Sequence, residues 1–102
     1  MNDKVLVRNA ADPAQVKEAE RKERFGRERE LEDVRFILQT LQGRRLIWRY
    51  LALCGVFRTS FTGNSHTFFN EGERNIGLKL LADVNEADPE SYLKMMKESK
   101  SE

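Results

Sequence analysis

Apolar residues become frequent in this chain only from Leu31 onward. Eight of its nine aromatics lie beyond that point, with Phe25 the exception, and from Leu31 to Met96 nearly every second residue is apolar. The first thirty residues are dominated by Lys, Arg, Asp and Glu. A core can therefore be built from only about 65–70 residues, with the charged stretch left outside it. This predicts an arm over residues 1–28, a helical domain over 29–97 and a tail over 98–102.

Several classes are excluded by the same pattern. The longest apolar run, residues 51–57, falls far short of the ~20 residues a membrane span needs, so no membrane segment is expected. Residues 1–11 lack the basic start and apolar stretch of a secretion signal. Cys54 is the single cysteine, and with His66 it makes too small a set for a structural metal site.

The net charge of +1 conceals a polarised distribution. Residues 1–30 hold eight basic and seven acidic side chains. Residues 31–66 hold five arginines against Glu32 and Asp33, a local +3, and residues 67–102 hold five basic and eight acidic side chains, a local −3. Such halves suit neutralisation within the fold or head-to-tail packing between copies.

Hydrophobic spacing predicts helices throughout. Asp12-Pro13 forms a cap-plus-proline start. The arm that follows carries Glu18/Lys22, Glu20/Arg24 and Glu23/Arg27 four apart, but only Val16, Ala19 and Phe25 as apolar residues. Leu31, Val34, Ile37, Leu38 and Leu41 recur at three and four, giving a short amphipathic helix. Thr40 is placed to cap a second helix, over residues 41–54, with Leu46, Ile47, Tyr50, Leu51 and Cys54 inward and Gly55 as a left-handed stop. Residues 59–65 form a polar loop pinned by Phe57 and Phe61, with Gly63-Asn64 as its turn. A third helix over residues 67–84 would turn Phe68, Phe69, Gly72, Ile76, Leu80, Leu81 and Val84 inward. Gly72 and Gly77 within it suggest close helix approach. Asp88-Pro89 opens a final helix docked by Tyr92, Leu93 and Met96. Residues 5–7 are too short for a strand. The expected fold is all-α, a small bundle of about four short helices with an N-terminal charged helical arm.

Few residues suggest chemistry. Arg44, Arg45 and Arg49 on the second helix, followed by Arg58, could face phosphates. The plainer reading pairs them with the acidic C-terminal half, Glu71 and Glu73 in particular, or stacks them on Trp48. The loop lacks the strand and Gly-Lys-Ser/Thr ending of a phosphate cradle. Cys54 falls on an apolar face, where a thiol packs inertly. No spacing among Cys54, His66 and Glu71 favours catalysis, so neither an enzyme nor a cofactor is expected. A bond from Arg58 back to Glu71 would tie the loop across its base.

The same residues carry a family resemblance. Gly43-Arg44-Arg45, then Cys54-Gly55-Val56-Phe57-Arg58-Thr59-Ser60-Phe61-Thr62-Gly63-Asn64, then Asn70-Glu71-Gly72-Glu73-Arg74-Asn75-Ile76-Gly77-Leu78 resemble a family of small tailed-phage proteins. Its type comes from a Bordetella short-tailed phage, with relatives in Salmonella and Pseudomonas phages. Pro89-Glu90-Ser91-Tyr92-Leu93 also fits, and the resemblance covers about residues 34–97, leaving the arm outside. It implies a virion-associated or morphogenesis protein and supplies no enzymatic role to carry over. It marks Gly43, Arg44, Arg45, Arg58, Thr59, Ser60, Glu71, Gly72, Arg74, Asn75 and Gly77 as hallmark positions.

The expected protein is thus a small, non-enzymatic, multi-copy virion component, found in the virion and in the host cytoplasm during assembly. Its expected place is the internal core, the ejection apparatus or the portal-proximal assembly, with portal or core proteins and further copies of itself as partners. Gly43, Arg44, Arg45, Arg49, Arg58, Thr59, Ser60, Glu71, Gly72, Arg74, Asn75 and Gly77 would form its polar network or assembly interface. The alternative is a nucleic-acid-binding accessory protein for DNA packaging or host takeover.

Overall fold

The computed structural model describes residues 12–59, 63 and 66–101. The short apolar stretch at 5–7, and Ser60, Phe61, Thr62, Asn64 and Ser65 of the polar loop, lie outside them. Four helices account for nearly all of the described chain: α1 (Pro13–Leu38), α2 (Leu41–Leu53), α3 (His66–Ala87) and α4 (Pro89–Ser101). No strand occurs among the described residues, and the fold is all-α. Two compact units divide the chain, residues 1–30 and residues 31–102.

In the first unit, Asp12 caps α1 through its side chain, which accepts from the Ala14 amide at 3.0 Å. Ion pairs on this stretch join Glu18 to Arg21 at 2.7 Å and Arg27 to Glu30 at 3.0 Å, each three residues apart. Both are solvent-exposed and add little stability. Val16 and Phe25 are exposed too. A side chain at Gly26 would meet nothing within 4 Å.

The helix expected to begin near Leu31 is instead the last part of a continuous α1. The intervening Arg29-Glu30-Leu31-Glu32 sequence consists of good helix formers, with no glycine or proline to interrupt it. A change of role does occur, since Leu31 and Leu38 are buried, whereas none of the preceding residues of α1 is.

In the second unit, Thr40 caps α2 by accepting the Gly43 amide at 2.9 Å. Gly43 is required by a close approach. A Cβ there would stand 1.8 Å from the Ile37 carbonyl oxygen, so the end of α1 and the first turn of α2 pack backbone to backbone. At the far end of α2, Gly55 adopts φ +82°. Its amide bonds the Ala52 carbonyl at 3.0 Å, and the Val56 amide bonds the Leu51 carbonyl at 3.2 Å. This is the paired-bond stop that a left-handed glycine permits. Helix α3 then meets this turn. A Cβ at buried Gly77 would come within 2.5 Å of Val56 Cγ2 and 2.6 Å of Cys54 Cβ. Close approach therefore explains Gly77 but not Gly72, which is exposed with open space around it.

The C-terminal carbonyls of α3 find a donor on α1. Arg35 Nε donates to the Ala87 carbonyl at 2.9 Å, supplying the cation that the last turn of α3 lacks. Asp88 alone separates α3 from α4, and its carboxylate accepts from the Ser91 hydroxyl at 2.7 Å.

The core is thin. Leu38, Val84 and Met95 form its centre, with Val34, Ile47, Trp48 and Tyr92 packed around them. Trp48 stacks on Phe57 at 4.7 Å between centroids and tilts against Tyr92 at 5.9 Å. Several residues expected inside are outside: Ile37, Leu41, Leu46, Tyr50, Phe68, Phe69, Ile76 and Leu93 are all exposed. On α3 the buried positions are Gly77, Val84 and Ala87, a face one residue out of step with Phe69 and Ile76. The predicted tail is also corrected. Helix α4 continues through Ser101, and Glu98 within it has a structural role.

Candidate assembly interface

The hallmark residues differ in burial, and Arg44 and Gly77 are enclosed by the fold whereas Arg45, Arg58, Thr59, Glu71, Gly72 and Asn75 are exposed. Arg44 holds the fold. Thr40 and Gly43 bring the first turn of α2 against the end of α1, which aims the Arg44 side chain between helices. Its Nη1 donates to the Leu38 carbonyl at 2.8 Å. Nε and Nη2 donate to the two oxygens of Glu98 on α4 at 3.0 and 2.8 Å, a bidentate ion pair. The Arg44 side chain is 9% exposed and that of Glu98 27%. Hydrogen bonding to Arg44 holds the Glu98 carboxyl below its ordinary value, outweighing the opposing effect of burial. The same bond pushes the Arg44 guanidinium up, so both groups stay charged.

The expectation that the basic middle of the chain pairs with its acidic end thus holds for Arg44, but the partner is Glu98 rather than Glu71 or Glu73. The signal for Glu98 lay in its spacing. Buried Ser91, buried Met95 and half-buried Glu98 follow at four and three residues along the inner face of α4. Beside the pair is a hollow of about 20 Å³, lined in part by Leu41, Trp48 and Ser99. It has room for about one water and is too small for a substrate.

Arg45 and Arg49 are exposed. Arg45 lies close enough to Glu98 to help hold its charge, and Arg49 sits 5.3 Å from the centre of the Tyr50 ring. The stacking expected on Trp48 goes to Phe57 and Tyr92.

Arg58 turns back to the helix it follows, donating to the Ala52 carbonyl at 3.1 Å in place of the expected bond to Glu71. The left-handed turn at Gly55 allows this, because the guanidinium packs over the position where a Cβ would stand. Arg58, Thr59 and Arg74 line an open cleft of about 540 Å³ with Val56 and Phe57. Arg74 is half-buried, and its Nε is fully buried with no hydrogen-bond partner. Glu71, Glu73 and Asn75 are exposed on α3, and Glu73 lines a smaller adjoining hollow with Cys54, Arg58 and Asn70. Ser60 lies outside the described residues.

Sequence reasoning missed the extent of apolar exposure. Six hydrophobic residues are buried among those described, and thirteen large ones are exposed. Some share faces. Leu46, Tyr50 and Leu53 follow one another at four and three residues on α2, and Phe69 and Ile76 lie seven apart on α3, with exposed Gly72 between them. Phe68 and Phe36 are 83% and 71% exposed.

Among the described residues, no helix is long and apolar enough to cross a membrane, and no group of three or more His, Cys, Asp or Glu could hold a metal ion. A family model described as Bbp19-like phage protein matches residues 34–97. No curated protein and no solved structure matches the chain.

Proposed function

The chain belongs to the family of Bbp19-like phage proteins, and from that premise we propose that it is a non-enzymatic structural subunit of the phage particle. Its work in this reading is to fill space between neighbours and bind them. The observation that carries the proposal is the imbalance of apolar exposure, thirteen large side chains exposed against six hydrophobic residues buried among those described. A subunit with so thin a core gains much of its buried area from neighbours.

The neighbours proposed are further copies of the chain and larger components of the internal core, ejection apparatus or portal region. The subunit would meet them in the host cytoplasm during assembly and remain with them in the virion. The arm, balanced in charge and poor in apolar residues, suits binding along a neighbour's surface. Arg44 weighs against the nucleic-acid reading, since the first arginine of the basic helix is occupied by Glu98 and the Leu38 carbonyl.

The test is protein identification in purified genome-packed particles compared with emptied ones. Presence in packed particles is expected. Loss on emptying would place the protein among ejected components, and retention would place it in the connector or shell. Absence from both would overturn the proposal.

A further inference from the structure

A glycine inside a helix weakens it relative to alanine, so its presence calls for a contact that needs the missing side chain. Gly43 and Gly77 have such contacts within the subunit, where a Cβ would collide with the Ile37 carbonyl or with Val56 and Cys54. Gly72 has none. It is exposed on α3, and a Cβ there would meet nothing within 4 Å. Its neighbours on the same face are bulky and apolar. At 3.6 residues per turn, Phe68 and Ile76 fall one turn before and one turn after Gly72, about 40° to either side of it, and Phe69 about 60° away. Phe68, Phe69 and Ile76 are 83%, 66% and 61% exposed. The outward face of α3 thus carries a gap at Gly72 and a knob, Ile76, one turn along.

We propose that two copies of the chain pack antiparallel through this face of α3, each inserting Ile76 into the gap at the partner's Gly72. The inference rests on the proposed role in the particle and deepens it by naming one neighbour and the contact that binds it. Symmetry singles out a second copy. Any other partner would have to present both a knob and a gap at this spacing, whereas a two-fold axis between Gly72 and Ile76 supplies both from one sequence. A parallel two-fold pair would set glycine against glycine and isoleucine against isoleucine, leaving the gap empty. The antiparallel register also suits the rings. With Gly72 opposite the partner's Ile76, Phe68 and Phe69 stand opposite the partner's Leu80 and the partner's Lys79. Leu80 is half-buried and Lys79 exposed, so the rings meet an apolar side chain and a cation whose stem and ammonium group both favour an aromatic surface. At about 200 Å² for a phenylalanine, the two rings and Ile76 bring roughly 400 Å² of apolar surface per copy, half of what a standard interface buries on each side. The dimer is therefore weak and reversible, with a dissociation constant of about 10–100 μM.

Sedimentation equilibrium of the full chain over a concentration series tests this. The wild type should pass from monomer to dimer and stop there. Gly72→Leu fills the gap and Ile76→Ala removes the knob, and each should weaken dimerisation at least about tenfold. The exchange variant Gly72→Leu/Ile76→Ala carries the knob where the gap was and the gap where the knob was. Under the same two-fold axis they face each other again, so this variant should dimerise more tightly than either single one. Circular dichroism should show helicity retained in all three, because both positions are exposed and leucine and alanine are good helix formers. A wild type that is monomeric throughout, Gly72→Leu dimerising as the wild type does, or an exchange variant no tighter than the single ones would overturn the proposal. A monomeric wild type that is nonetheless found in purified particles would overturn this pairing and leave the structural role standing. A chain that dimerises in this way but is absent from particles would do the reverse.

Discussion

Arg44 and Glu98, fifty-four residues apart, form a bidentate ion pair that ties the first turn of α2 to the last turns of α4. Arg44 also donates to the last residue of α1, so one guanidinium joins three of the four helices. Replacing Glu98 by Gln leaves this guanidinium charged and short of an anionic partner. Removing one member of a buried pair is strongly destabilising, although the partial exposure of Glu98 reduces the effect. Glu98→Gln should lower unfolding stability by about 2–3 kcal/mol, measured by urea denaturation. A loss under about 0.5 kcal/mol, the range of ordinary surface changes, would show that the pair does not brace the bundle.

The same contact sets an acid limit. Glu98 is held below the ordinary value of 4.5 by its bond to Arg44. Its folded value is depressed, so the stabilisation is complete above that ordinary value and is lost as pH falls through the lowered one. Arg44 is shifted upward and does not titrate in this range. Denaturation midpoints followed from pH 6 down to about pH 2 should fall more steeply for the wild type than for Glu98→Gln. Parallel curves would assign the acid loss to other carboxylates.

The glycines of α2 and α3 should respond in opposite ways to alanine. At Gly43 a methyl group would collide with the Ile37 carbonyl, a backbone atom that cannot rotate aside. Gly43→Ala should cost about 3 kcal/mol or more, above the usual range for an overpacked side chain. At Gly72 the methyl group meets open space, and the higher helix propensity of alanine should stabilise by up to about 1 kcal/mol. Thermal unfolding of both variants checks this, and equal effects would contradict the packing described at Gly43.

How far these features could be read from the sequence depended on whether they are local. Thr40 as a cap, Gly55 as a left-handed stop and Asp88-Pro89 as a corner each require only a few adjacent residues, and each lies where spacing placed it. The continuity of α1 was missed because the change from charged to amphipathic sequence marks a change in burial, and the backbone has no reason to break there. The inward faces of α2 and α3 were harder to assign. Apolar residues occur on more than one side of each helix, and periodicity cannot tell which side meets the core and which remains for a neighbour. Arg44 was identifiable as a residue that pairs with the acidic half. Its partner was not, because Glu98 falls in the stretch assigned to the tail rather than to the last helix.

That ambiguity on α3 leads to a further test. Phe69 and Ile76 are 66% and 61% exposed, whereas Val84 on the same helix is fully buried. If the exposed pair serves assembly, Phe69→Ser/Ile76→Ser should leave subunit stability within about 0.5 kcal/mol per site. Val84→Ala, by contrast, removes two fully buried carbon atoms and leaves a cavity, and should cost about 2–3 kcal/mol. Particle assembly should respond in the reverse order. The double serine variant should be depleted from purified particles, and Val84→Ala should still be incorporated at a temperature where it remains folded. Normal incorporation of the serine variant would assign the apolar face of α3 no part in binding the particle.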